Sequence, residues 1–131
     1  MQTRPAQRDD PKPMAGDRDF ASDPVDVQHL RRYTLGDQKL EREILQLFMI
    51  HLPELIAALR TAQAERDWRM AAHSLKGACR AIGAWRIARL AEGAEGLTFG
   101  GDCQARKTLV VELDEAASEV GLYIESVWGS G

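Results

Sequence analysis

From Asp23 onward, apolar residues return every three or four positions, the spacing of one face of an α-helix. The longest series is Leu40, Ile44, Leu47, Phe48, Leu52, Leu55, Ile56 and Leu59, which predicts a long helix. Trp68, Ala72, Leu75, Cys79 and Ile82 predict a second one, from about Asp67 to Ile82, with Gly83 ending it. Ile87, Leu90, Ala91, Ala94 and Leu97 place another from Ala84 to about Leu97, and Leu109, Leu113, Ala116, Val120, Ile124 and Val127 a last one from about Cys103 to Val127. Ahead of all four, Asp23-Pro24 has the form of an N-cap followed by a first-turn proline, opening a short helix to about Tyr33. Gly36-Asp37 breaks and recaps the chain, and Gly100-Gly101 marks a turn. Pro53 falls inside the long helix, where it removes a backbone hydrogen bond and predicts a kink near Met49 and Ile50. No segment alternates with period two for long enough to suggest a strand. The fold class is therefore all-α: an up-and-down four-helix bundle with a short additional N-terminal helix, its neighbours joined by short turns.

Composition divides the chain. Residues 1–22 hold three of the five prolines (Pro5, Pro11, Pro13), mixed charges and almost no apolar content. Such a segment buries too little surface to offset its ordering entropy, so it reads as a disordered leader or a linker. Residues 23–131 form the helical domain, enough chain for one core. A formal net charge of −3 does not suggest a nucleic-acid partner. Cys79 and Cys103 lack CxxC spacing and read as reduced thiols. No apolar run approaches the roughly 20 residues that span a bilayer, and the N-terminus lacks a secretory apolar core. A cytoplasmic monomer is expected.

The candidate chemistry lies in Ala72-His73-Ser74-Leu75-Lys76-Gly77-Ala78-Cys79-Arg80. At about 100° per residue, Trp68, Ala72, Leu75, Cys79 and Ile82 share the core stripe, whereas Arg69, His73, Lys76, Gly77, Arg80 and Ala84 share a polar one. His73 therefore faces outward, as an imidazole able to act as a nucleophile near neutral pH. A phosphoryl group on that ring would bring about two negative charges. Lys76, at i+3, is within reach of it. Gly77, at i+4, removes a side chain that would crowd the ring, although glycine costs about 1 kcal/mol against alanine inside a helix. The stretch from Arg60 to Arg89 carries seven Lys or Arg against two acids, and the chain beyond it two against eight. A basic surface around His73 would suit an acidic partner.

These residues resemble the histidine-containing phosphotransfer (Hpt) family of phosphorelays. The pattern His, any residue, Leu, Lys, Gly, with a second glycine ten positions after the histidine, is met by His73, Leu75, Lys76, Gly77 and Gly83. Gly36-Asp37, Phe48, Ile87, Leu90 and Glu95 add further matches, so the resemblance covers about Val25 to Leu97 and the last helix fits by periodicity alone. It implies a phosphocarrier without catalytic machinery of its own. His73 would accept a phosphoryl group from the aspartyl phosphate of a response-regulator receiver domain, through Nε2, and pass it to another receiver. Lys76 would steady the group, and Gly77 and Gly83 would be structural. Arg80 would be a lesser receiver contact. The partners implied are receivers and a hybrid sensor histidine kinase. No cofactor is expected on this chain, because Mg²⁺ belongs to the receiver. Some relatives carry a glutamine near the phosphate where this chain has Glu95. A carboxylate there would repel the phosphoryl group, so Glu95 is expected to have no ligand role.

The competing readings are plainer. A helical interaction module that docks receivers or a kinase without carrying phosphate would need the same fold but not the histidine. A zinc site from His73, Cys79 and Cys103 is disfavoured, since His73 and Cys79 diverge by about 120° around the helix. Cys79, Trp68 and Trp85 read as core, His29 and His51 as side chains without a site, and Arg86 and Arg89 as solvated. Met49 and Ile50 could form an apolar patch beside the kink or belong to the core.

Overall fold

A computed structural model of the chain describes residues 23–128, so the expected leader over 1–22 lies outside the described residues. Five helices follow one another: α1 (Val27–Thr34), α2 (Gln38–Arg60), α3 (Glu65–Ile82), α4 (Trp85–Glu95) and α5 (Cys103–Trp128). No strand occurs among the described residues. In space α2 packs on α3, α3 on α4, α4 on α5 and α5 back on α2, so the four long helices close a ring. The ends pair as an up-and-down bundle requires. Arg42 at the start of α2 donates to the carbonyl of Trp128 at the end of α5 (3.1 Å), and Trp68 near the start of α3 donates from Nε1 to the carbonyl of Ala94 near the end of α4 (2.8 Å).

The helix stripes meet in one core. Leu45, Phe48, Leu52, Ile56 and Leu59 of α2 face the whole apolar stripe of α3, together with Ile87, Ala91 and Ala94 of α4 and Leu113, Ala116, Val120 and Ile124 of α5. Burying a Leu or Ile side chain stabilises the fold by about 1.5–3 kcal/mol, which makes this stripe the main source of stability. Burial pushes the Cys79 thiol up to about 12, so it behaves as a small apolar filler.

Three local expectations are corrected. The cap of α1 is Asp26, not Asp23: its Oδ1 accepts from the His29 amide (3.1 Å) while its Oδ2 accepts from Trp85 Nε1 (2.9 Å). Asp23 instead accepts a bond from the Tyr123 hydroxyl (3.3 Å). On α2, Leu40 and Leu47 are exposed, and Glu41 and Leu45 are buried beside them. Glu41 is buried because Arg31 Nε (3.1 Å) and Thr34 Oγ1 (3.0 Å) reach its Oε2 from α1, which ties the short helix down. At the far end Val127 is exposed and Trp128 takes the core position. Helix α2 runs without a break through Pro53, which lies on its exposed side, and of the neighbouring pair Met49 packs on the core while Ile50 is exposed.

Two glycines hold left-handed turns. Gly36 (φ 84°) follows Leu35, itself at φ 54°, and Asp37 then caps α2 by accepting from the Leu40 amide (3.1 Å). Gly83 (φ 89°) caps α3, and there a Cβ would stand 2.9 Å from the Asp26 carbonyl oxygen. The Asp26 amide also donates to the Gly83 carbonyl (2.9 Å), so α1 is seated against the α3–α4 corner. Gly36 meets only open space. Left-handed backbone costs an L-residue about 1–2 kcal/mol, so Gly36→Ala should lose about that much. Gly83→Ala should lose clearly more, because the α1 contact must also yield. Denaturant unfolding of both variants checks this, and equal losses would contradict the packed corner.

Candidate functional site

Helix α3 begins with Glu65 and Asp67, whose charges suit a helix N-terminus, and presents His73 midway along its outer side. The His73 side chain is 74% exposed. Across from it stands Glu95, the final residue of α4. Glu95 Oε2 lies 3.1 Å from His73 Nδ1, and its Oε1 accepts from Lys76 Nζ at 2.5 Å. One carboxylate thus bridges two side chains that are one turn apart on the neighbouring helix. Glu95 therefore engages the imidazole and the lysine of the motif, a contact distinct from the phosphoryl position that its charge disfavours. The Lys76 side chain is only 15% exposed and already bound.

The pairing acts on the Glu95 carboxyl. The Lys76 hydrogen bond, with a smaller contribution from His73, holds the Glu95 carboxyl below the usual glutamate value, partly opposed by lost hydration. Glu95 is therefore ionised at neutral pH and can only accept. Nδ1 of a neutral His73 must then carry the proton, which leaves the Nε2 lone pair free on the exposed side of the ring.

Around this centre, the other named residues separate. Gly77 is exposed one turn beyond His73, and a Cβ there would meet nothing within 4 Å. No packing among the described residues asks for glycine at that position. Arg80 is exposed and reaches Glu92 only at 3.7 Å. Ala84, assigned by phase to the polar stripe, is buried in the corner. Cys79 is buried and Cys103 is exposed at the start of α5, and no three His, Cys, Asp or Glu side chains among the described residues converge as a metal site.

The basic surface inferred from charge counting is largely neutralised by folding. Arg60 pairs with Asp114 (2.5 Å), Arg69 with Glu65 (2.7 Å), Arg86 with Glu119 (2.6 Å), and Lys76 and Arg80 with Glu95 and Glu92. The acids of α4 and α5 fold against the bases of α2, α3 and α4, which a count along the chain could not reveal. Two grooves meet at Met70 and Ser74. One, of about 540 Å³, is lined by Arg66, Arg69, His73 and Glu95; the other, of about 660 Å³, is a mainly apolar channel between α2 and α3 that includes Phe48, Leu55 and Ala78.

Comparison with known families returned a match to the Hpt domain over residues 43–122, more than half of the chain and most of the four-helix ring. The chain belongs to the Hpt family. The match extends into α5, beyond the part where the motif alone was legible. A search of curated proteins and one of solved structures returned no match. Hpt domains serve phosphotransfer in two-component signalling as phosphocarriers, and they interact with response-regulator receivers and kinases. No helix among the described residues of this Hpt domain is long and apolar enough to cross a membrane.

Because the Glu95 pKa is lowered on folding, the stability it contributes is present above the ordinary value of 4.5 and is lost as pH falls through the depressed one. A carboxyl-detected NMR titration should place the Glu95 midpoint below 4.5. Lys76→Ala should move it back up. A midpoint that ignores Lys76 would contradict the shared bridge.

Proposed function

We propose that this Hpt domain is a phosphorelay intermediate in which His73 carries the phosphoryl group between receiver domains. The observation that carries the reading is the free Nε2 of an exposed His73 whose Nδ1 is held by an ionised Glu95. The Nε2 lone pair attacks phosphorus as the P–O bond of a receiver's aspartyl phosphate breaks, and that electron pair returns to the receiver carboxylate. Nδ1 keeps its proton throughout, so the ring becomes positive while phosphorylated. Glu95 faces that charge and supports it, as the second partner of a reacting histidine commonly does. Onward transfer reverses the bookkeeping: the N–P bond breaks, its pair returns to Nε2, and a second aspartate takes the phosphoryl group.

Lys76 acts in this scheme mainly through Glu95, holding the carboxylate in place and ionised. Gly77 keeps the surface beyond the ring flat, which lets a receiver bring its aspartate within bonding distance. The apolar groove between α2 and α3 gives such a partner something to cover beside the reacting ring. Receivers hold the Mg²⁺ that neutralises the transferring oxygens, so the chain's own task is to present the nucleophile.

Incubation with a panel of phosphorylated receiver domains should place an acid-labile phosphate on the wild-type chain and none on His73→Ala. Gly77→Val should stay folded and transfer at least several-fold more slowly, since small displacements of reacting groups carry large rate penalties. Labelling that persists on His73→Ala would overturn the assignment. A chain that binds receivers tightly yet never takes label would be an interaction module instead.

A further inference from the structure

Lys76 is the cation the motif nominates for the phosphoryl group, yet it is the one already committed. Its ammonium is bound to Glu95 at 2.5 Å and mostly covered, on the Nδ1 side of the ring. A second cation stands beside the ring. Side chains on a helix lean toward its N-terminus, so the His73 ring lies over the turn that carries Arg69, four residues earlier. Residues so spaced are neighbours on a helix face. Arg69 and His73 line the same groove of about 540 Å³, together with Glu65, Arg66 and Glu95.

Arg69 is held there by a weak tether. Its Nη2 bonds Glu65 Oε2 at 2.7 Å, with both side chains about half exposed. Exposed i,i+4 pairs of this kind contribute little and exchange readily. A phosphoryl group carries close to two charges and three acceptor oxygens, against one charge on Glu65, and a guanidinium fork matches it with two parallel bonds. We propose that Arg69 is the phosphoryl ligand of this domain: once the Nε2–P bond forms, its guanidinium leaves Glu65 and takes the phosphoryl oxygens. Glu65 is then a competitor within the chain that holds the arginine ready near the ring and weakens its grip on the product. The inference rests on His73 being the phosphoacceptor.

The test uses the whole chain phosphorylated directly with phosphoramidate, so that receiver docking does not enter, and follows the phosphoryl resonance by ³¹P NMR across pH. In wild type the nearby guanidinium should keep the phosphoryl group ionised to lower pH. Arg69→Gln should raise its protonation midpoint, Arg69→Lys should restore part of the difference, and Glu65→Gln should lower it below wild type. With a phosphorylated receiver as donor, Arg69→Gln should reduce the equilibrium yield of phosphohistidine about threefold to tenfold, the weight of one charge-assisted bond at a wet site. Equal midpoints and yields in wild type, Arg69→Gln and Glu65→Gln would overturn the role of Arg69 while leaving the phosphocarrier reading intact. Absence of phosphate from His73 in wild type would remove that reading itself.

Discussion

Helices α3 and α4 are joined by two residues, Gly83 and Ala84, and this tight corner sets which residues face each other across the pair. His73 stands ten positions before Gly83, about 15 Å along α3, and Glu95 twelve positions after it, at a similar height on α4. The antiparallel return therefore brings a carboxylate level with the imidazole and with Lys76. Gly83 makes the corner possible because its left-handed backbone turns the chain while its missing Cβ admits Asp26 at contact distance. Asp26 in turn caps α1 and accepts from Trp85 at the first residue of α4. One corner thus fixes the short helix, the start of α4 and, a helix length away, the partner of the reacting ring.

The site that results holds charge in two pairs around the ring. Glu95 and Lys76 form a closed pair against Nδ1, with little exposed charge left over. Arg69 and Arg66 lie in the groove N-terminal to the ring, with Glu65 as the local counter-charge. A neutral His73 can sit in such a place with one nitrogen engaged and the other open. What the chain itself supplies here is preorganisation of one ring nitrogen.

Most of this architecture was legible from periodicity. The α3 stripe from Trp68 to Ile82 is interrupted by polar residues, so its phase was unambiguous and every position proved buried. Helix α2 was harder to phase because Leu40, Ile44, Leu45, Leu47, Phe48, Met49 and Ile50 crowd both sides of it. The burial of Glu41 depends on Arg31 and Thr34, which only the tertiary fold brings near. The choice of Asp26 over Asp23 as cap has the same origin, because Gly83 and Trp85 lie far along the chain. Glu95 could have been found from register: ten to twelve residues past Gly83, the returning helix is near the level of His73. The basic surface was misjudged because charges were summed along the chain, whereas Asp114 and Glu119 arrive from α5 to meet Arg60 and Arg86.

Glu95, facing Nδ1, selects which ring nitrogen of His73 is available. Long-range ¹H–¹⁵N NMR of the imidazole tests it most directly, first in the free chain and then after phosphorylation. In the neutral ring the proton should reside on Nδ1 and leave Nε2 bare, with phosphorus then coupling to Nε2 alone and the Nδ1 preference weakened in Glu95→Ala. A proton resident on Nε2 in the wild-type chain, or phosphorus bound to Nδ1, would contradict it.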